Sequence, residues 1–247
     1  ERLPIWQLEP VVLEINELLA SIPEVQKFSV AGSFRRVAET SKDVDFIVAT
    51  EDHEAVREAI LSRLVILETV AAGDTKISVL LDREEPVSVD FRLVKHHEFA
   101  TALHHFTGSK DHNIRMRQLA KSQGKKISEY GVEQPDGTIA TFDTEDAFFA
   151  HFDLPFIPPT VRESGKELDR LDELAGLVQL EHIMSDLHMH TTWSDGAHSV
   201  HEMGEALIDQ GYQYGVITDH SQYLKVANGL TPERLDKQKL EIFAFNE

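Results

Sequence analysis

The chain has 247 residues, of which 41% are hydrophobic, and this length is enough for one large domain or two medium ones. It contains no cysteine, which excludes disulfides and thiolate metal sites, and no apolar run approaches the roughly 20 residues of a membrane-spanning helix. The net charge of −19 argues against a broad nucleic-acid-binding surface.

The first 94 residues predict a β-sheet accompanied by helices. Apolar side chains recur at helical spacing from Val11 to Leu19, which predicts an amphipathic helix with Pro10 near its first turn and an end before Ile22. Alternating or β-branched segments predict strands near 25–31, 43–49, 65–70, 75–82 and 86–94, with a helix near 52–63.

A glycine-opened turn follows the first predicted strand. Gly32 permits close approach of the backbone to a ligand, and the side chains of Ser33 and Arg36 can reach phosphate oxygens. This combination of residues is suited to holding the triphosphate of a nucleotide.

Three aspartates are predicted on the polar faces of two later strands. Asp43 and Asp45 are two residues apart and therefore share a face, while Asp90 lies on the polar face of the strand at 86–94. Neighbouring carboxylates repel each other unless a cation lies between them, so the pattern predicts a two-metal site for phosphoryl transfer. The alternative is a pair of solvated strand edges.

Residues 95–160 predict a second, smaller unit. A helix is predicted over 97–106, and Ser109 is a suitable N-cap for another helix that ends near Gly124. Residues 105–126 form the basic part of the acidic chain, with six Lys and Arg against one Asp, which predicts a narrow, salt-sensitive contact with DNA. Three polar residues share one face of the second helix: Asn113, Arg117 and Lys121. A hairpin around Pro135–Gly137 and a helix near 143–151 complete this unit.

The C-terminal part contains clustered histidines and aspartates. Residues 161–180 predict a linker with a short helix, and two strands joined by a helix near 199–210 predict the start of a βαβ unit. Imidazole and carboxylate ligands favour Mn²⁺, Zn²⁺ or iron over Mg²⁺. The predicted ligands are His188, His190, Asp195 and His220, and scattered surface histidines are the alternative.

Gly32-Ser33, the Asp43/Asp45 pair and Asp90 resemble the nucleotidyltransferase superfamily. The segments His105-Phe-Thr-Gly-Ser109 and Ile127-Ser-Glu-Tyr130 narrow this resemblance to the family X DNA polymerases. The resemblance implies an α+β fold with a mixed-sheet palm over 1–94 and an α/β thumb over 95–160.

The same resemblance implies roles for individual residues. Asp43, Asp45 and Asp90 would hold two Mg²⁺ or Mn²⁺ ions, and Phe106 and Gly108 would contact the sugar of a deoxynucleoside triphosphate. Asn113 and Arg117 would contact minor-groove edges, and Lys121 lies on the same helix face. Lys76 would lie near the DNA, with a solvated lysine as the alternative, and Arg92 would pair with a catalytic aspartate.

Ser185-Asp-Leu-His-Met-His190 resembles the opening of a PHP phosphoesterase domain, so residues 181–247 would begin a (β/α)7 barrel. A polymerase core followed by a PHP domain resembles the bacterial branch of family X. We expect the chain to be a fragment of a longer protein, without the family's N-terminal domain and most of the barrel. Hydrolase activity of the PHP domain is expected to be absent from the fragment.

The predicted function is repair-type DNA synthesis by a cytoplasmic monomer on gapped or primed DNA, with no membrane contact. A template-independent nucleotidyltransferase is one alternative. A DNA-end-binding module with a vestigial polymerase site is another: the presence of all three aspartates counts against it, and the acidic composition keeps it open.

Overall fold

The computed structural model describes residues 2–247, which form two compact units that meet in sequence between Ala175 and Gly176. Among these residues, no helix is both long enough and apolar enough to cross a membrane.

A five-stranded mixed sheet forms the centre of the first unit. Its strands lie in the order β2 (Lys27–Val30), β4 (Asp43–Ala49), β7 (Val87–Val94), β6 (Lys76–Leu81) and β5 (Ile66–Ala72), with β4 and β7 parallel and the other neighbours antiparallel. Each of the five predicted strands is confirmed, with ends that differ from the prediction by no more than two residues. The strands of the unit are β1 (Leu3–Pro4), β2 (Lys27–Val30), β3 (Thr40–Ser41), β4 (Asp43–Ala49), β5 (Ile66–Ala72), β6 (Lys76–Leu81), β7 (Val87–Val94), β8 (Lys126–Ile127), β9 (Val132–Glu133) and β10 (Ile139–Ala140).

Six α-helices belong to the same unit, and the first differs from its prediction. It begins at Ile5, so Pro10 lies inside the helix and not in its first turn. Proline has no backbone N–H, so the helix lacks one hydrogen bond. The burial of a continuous apolar face that includes Leu8 and Ile15 offsets the free-energy cost of this loss. The helices are α1 (Ile5–Ser21), α2 (Gly32–Arg35), α3 (His53–Arg63), α4 (Phe99–Thr107), α5 (Lys110–Ser122) and α6 (Glu145–Ala150).

The two faces of the sheet are covered unequally. On one face, α1 and α3 pack against strand residues such as Phe46 and Phe91 and form the main core. On the other face, α4 packs against Ile47 and Ala49, near the C-terminal end of β4. Because α4 covers only that end, the part of the face that carries the N-terminal half of β4 is partly accessible to solvent, and Asp43 and Asp45 are half-buried there.

A second core contains α5, α6 and the small sheet β8-β9-β10. The N-cap role of Ser109 is confirmed, because its side chain accepts a hydrogen bond from the backbone N–H of His112. The predicted linker at 161–180 is partly wrong. Residues up to 175 belong to the first unit, where Arg162 is fully buried and the leucines at 168, 171 and 174 pack on this core. Short 3-10 turns replace the predicted helix, since the chain follows the core surface.

The second unit contains β11 (Ser185–Met189), α7 (Val200–Asp209), β12 (Tyr214–Ile217) and α8 (Pro232–Asn246). β11 and β12 are parallel and α7 connects them, as predicted for a βαβ unit.

Candidate active site

Three carboxylates project from the open face of the central sheet. The parallel register of β4 and β7 places Asp45 directly opposite Asp90, and Asp43 opposite Ser88. Neighbouring strands of a sheet lie about 4.7–4.9 Å apart, so side chains of directly opposed residues on one face project side by side. The structure therefore brings together the three aspartates that the sequence pattern singles out.

The electrostatics of this face favour cation binding. Burial raises the pKa of Asp45 to about 6, and the charges of Asp90 and Asp43 add to the effect, although Arg92 and Lys76 oppose it. A divalent cation among the three carboxylates would offset their repulsion, and a donor set of oxygens alone suits Mg²⁺ or Mn²⁺.

Lys76 contributes a counter-charge to the carboxylates. Its Nζ lies 3.4 Å from Oδ2 of Asp90, with the lysine side chain 38% exposed and the aspartate side chain 23% exposed. The predicted ion pair between Arg92 and an aspartate is not found among the described residues. The Arg92 guanidinium instead lies 4.5 Å from the centroid of the Phe106 ring, since β7 directs it toward α4.

The turn at Gly32 approaches the carboxylates closely. Gly32 has φ of +63°, and a Cβ added at this position would collide with Oδ2 of Asp45. The Ser33 hydroxyl lies 2.5 Å from the Ser41 hydroxyl, which donates to the carbonyl of Asp43 at 2.7 Å. These contacts hold the start of α2 against the first residue of β4.

A cleft of about 440 Å³ lies between this turn and the helices α4 and α5. Three cationic side chains line it, and Asp45 forms part of its wall. The lining residues are Gly32, Ser33, Arg36, Asp45, His105, Phe106, Thr107, Gly108, Ser109, Lys110, Asn113 and Arg117. All six predicted nucleotide-binding residues are therefore in one cleft, together with Arg117.

Asn113 and Gly108 shape the wall opposite the sheet. The Asn113 amide donates from Nδ2 to the carbonyl of His105 at 2.8 Å, while its buried Oδ1 has no partner within residues 2–247. Gly108 has φ of +69°, a conformation that favours glycine, and its peptide bond to Ser109 is cis. Lys121 lies two helical turns beyond Asn113 on α5, outside the lining of the cleft.

A buried ion triad, which no sequence pattern indicated, connects the sheet side of the cleft to the second core. Arg35 donates to Thr107 Oγ1 at 2.9 Å and to Glu145 Oε1 at 2.5 Å, while Arg162 donates to Glu145 Oε2 at 2.7 Å. Burial raises the pKa of Glu145, but both arginines oppose this effect and hold the pKa below its usual range. No local spacing pairs residues 110 positions apart, so only the fold reveals the triad.

Two buried histidines form a second polar chain that the sequence did not indicate. Nε2 of His104 lies 2.9 Å from Nε2 of His112, whose Nδ1 lies 2.7 Å from Glu167 Oε1. Burial lowers the pKa of both imidazoles, although Glu167 partly offsets this for His112. These hydrogen-bonded side chains anchor α5, and therefore Asn113, to the segment after Arg162.

In the second unit, three of the four predicted ligands form a compact group. One nitrogen or oxygen atom each from His190, Asp195 and His220 lies within 4.8 Å of the others. The fourth, His188, adjoins the group because its Nε2 lies 3.1 Å from Nε2 of His190. Asp219 is not available as a ligand in this arrangement, since its carboxylate accepts hydrogen bonds from Thr191, Ser194 and Gln238.

Family models match two parts of the chain. The DNA polymerase beta palm matches residues 2–83, and the DNA polymerase beta thumb matches residues 102–163. Asp43 and Asp45 lie within the first range. Asp90 lies between the two ranges, so its connection to the other carboxylates rests on strand register.

Two curated relatives support the same assignment. The DNA polymerase/3'-5' exonuclease PolX of Bacillus subtilis is 56% identical over 247 residues, which cover 100% of this chain and 43% of that protein. DNA polymerase lambda of Rattus norvegicus is 29% identical over 162 residues, which cover 53% of this chain and 28% of that protein. The chain thus spans less than half the length of either relative, and it belongs to family X, the polymerase beta-like DNA polymerases.

Proposed function

We propose that the first unit is a DNA-directed DNA polymerase of the repair type. It adds a deoxynucleoside monophosphate to a primer 3'-hydroxyl and releases pyrophosphate. The observation that carries this proposal is the direct pairing of Asp45 with Asp90 across parallel strands, with Asp43 on the same face beside a cationic cleft.

The carboxylates fit a pair of Mg²⁺ or Mn²⁺ ions. Asp43 and Asp45 would hold both ions, with Asp90 as the third carboxylate ligand. The raised pKa of Asp45 reflects burial first and then repulsion from Asp90 and Asp43, and bound cations would counteract that repulsion. When bound, such ions activate the attacking oxygen and stabilise charge on the leaving group.

Residues of the cleft position the nucleotide. Ser33 and Arg36 bind the β- and γ-phosphates, and Arg36 favours negative charge on the departing pyrophosphate. Phe106 and Gly108 lie against the sugar, and Asn113 contacts the minor-groove edge of the new base pair. Minor-groove acceptors are common to all base pairs, so this contact tests shape without reading sequence.

DNA contacts come from a narrow cationic surface. Arg117 on α5 contacts the minor-groove edge of the template, and Lys121 on the same helix face contacts the DNA. Lys76 beside Asp90 lies near the primer end. The surrounding acidic surface limits affinity, so binding to gapped or primed DNA is salt-sensitive. The protein acts as a cytoplasmic monomer in this proposal, with a palm over 1–94 and a thumb over 95–160.

The second unit, over 181–247, is proposed as the start of a PHP domain. Four side chains of this unit would bind Mn²⁺ or Zn²⁺ in the whole protein: His188, His190, Asp195 and His220. The Bacillus subtilis relative is named as a 3'-5' exonuclease as well as a DNA polymerase. Four ligands do not make the multinuclear centre of such a domain, so we expect no hydrolase activity from these residues alone.

Gap filling tests the proposed reaction. The assay uses a one-nucleotide gap, each dNTP in turn, and Mg²⁺ or Mn²⁺. Incorporation of the complementary base alone supports templated synthesis, while incorporation of any base supports the template-independent alternative. DNA binding without incorporation supports the end-binding alternative.

Asp90→Asn should lower the rate of incorporation by at least about a hundredfold, because a metal ligand contributes several kcal/mol to the transition state. Ser88→Ala is the matched control, since Ser88 is on the same face of β7 and opposite Asp43. Full activity of Asp90→Asn with an intact fold would refute the assignment.

A further inference from the structure

The guanidinium of Arg36 is already paired with a carboxylate of the same chain. Its Nε donates to Glu163 Oε1 at 2.9 Å, and its Nη1 donates to the carbonyl of Thr107 at 2.6 Å. The Arg36 side chain is 15% exposed, whereas that of Glu163 is 54% exposed. The cation therefore belongs to the cleft wall, and its anionic partner is on the solvent side.

The position of Glu163 is fixed by its backbone. Ser109 Oγ donates to the carbonyl of Glu163 at 2.5 Å, and the backbone N–H of Ser109 donates to the carbonyl of Arg162 at 2.9 Å. Arg162 is itself fully buried in the ion triad. The segment that presents Glu163 is thus attached to the same loop that lines the cleft, and removing the carboxylate charge leaves these attachments in place.

The carboxylate and a polyphosphate compete for the same donor. The other cations of the cleft, Lys110 and Arg117, form no ion pair within residues 2–247, so Arg36 alone has a resident anion. A phosphate that uses Nε of Arg36 must displace Glu163 and must also approach its negative charge.

We propose that Glu163 is an intramolecular competitor of the triphosphate and a determinant of nucleotide affinity. This inference rests on the proposed function, in which Arg36 binds phosphate. An exposed ion pair contributes about 0.2–1 kcal/mol, so neutralising Glu163 should tighten triphosphate binding roughly 1.4- to fivefold.

The test measures the dissociation constant of Mg²⁺–dATP by titration calorimetry on the full 247-residue chain. Glu163→Gln keeps the length of the side chain and removes its charge. Asp169→Asn is the matched control, because Asp169 lies six residues later and pairs with Arg115, which does not line the cleft. We expect tighter binding by Glu163→Gln and an unchanged dissociation constant for Asp169→Asn.

Steady-state gap filling gives a second readout. The KM for dATP should fall in Glu163→Gln while kcat is unchanged, a gain that loss of a merely structural contact would not produce. Equal or weaker dATP binding by Glu163→Gln, or equal tightening in Asp169→Asn, would overturn the inference while the proposed function stands. Absence of dATP binding by the wild type and by both variants would overturn the proposed function as well.

Discussion

Asp45 and Asp90 lie directly opposite each other on parallel neighbouring strands, on the part of the sheet face that α4 does not cover. Two carboxylates in this relationship destabilise the folded chain unless protons or cations neutralise them. The pair therefore links the stability of the first unit to the same ions that its chemistry requires.

Cation affinity at the sheet should depend on pH. Burial and the neighbouring charges of Asp90 and Asp43 raise the pKa of Asp45 to about 6, so below this pH a proton competes with Mg²⁺ for the carboxylate. We expect Mg²⁺ affinity to increase as the pH rises from 5 to 7, measured by calorimetry. A pH-independent affinity would contradict the assignment of Asp45 as a ligand.

The stability of the cation-free protein should show the opposite trend. A carboxyl whose folded pKa is raised stabilises the fold fully below its unfolded pKa, and that contribution is lost as the pH rises through about 6. The contribution is on the order of 2–3 kcal/mol. Urea titrations at pH 4 and pH 7 measure the unfolding free energies of the wild type and Asp45→Asn. Relative to the variant, the wild type should lose this amount of stability between pH 4 and pH 7. An equal difference between the two proteins at both pH values would contradict a raised pKa of Asp45 in the folded state.

Gly32→Ala should abolish cation binding as well as reduce stability. The added Cβ would displace the Asp45 carboxylate, and a residue with a side chain is strained at φ of +63°. Gly137→Ala is the control, since Gly137 also has positive φ but has no atom within 4 Å of an added Cβ. Both variants should lose about 1–3 kcal/mol of stability, and Gly32→Ala alone should lose Mg²⁺ binding.

Glu145→Gln should be the most destabilising single change proposed for the first unit. It leaves Arg35 and the fully buried Arg162 without a counter-charge, and breaking a buried ion pair costs about 3–5 kcal/mol. Glu173→Gln, which breaks a fully exposed pair with Arg170, should leave the unfolding free energy nearly unchanged. Chemical denaturation of both variants measures the contrast, and similar losses would show that the triad is not a major stabilising element.

Metal binding by the second unit should depend on the clustered ligands. His190→Ala or Asp195→Asn should lower Mn²⁺ or Zn²⁺ affinity by about tenfold or more, because each removes one of three convergent donors. His198→Ala is the control, as His198 is exposed and faces Glu202 outside the group. Equal losses in all three variants would indicate unspecific surface binding.

Several features could be predicted from the sequence because they depend on residues close together in the chain. The alternation in β7 predicted its buried Val89 and Phe91 and its polar Asp90, and this burial pattern is confirmed. Ser109 as an N-cap followed from local backbone chemistry. The grouping of His190, Asp195 and His220 followed from a strand-helix-strand pattern, which places strand ends at one edge.

Other features were decided by the tertiary structure. Charged residues after Pro159 predicted a linker, yet Arg162 is buried because Glu145 supplies the counter-charge that makes its burial tolerable. The pairing of Arg36 with Glu163 spans 127 positions, and that of Lys76 with Asp90 depends on which strands are neighbours. Long charged side chains form ion pairs with the nearest opposite charge in space, and the spacing of residues along the sequence does not predict that distance.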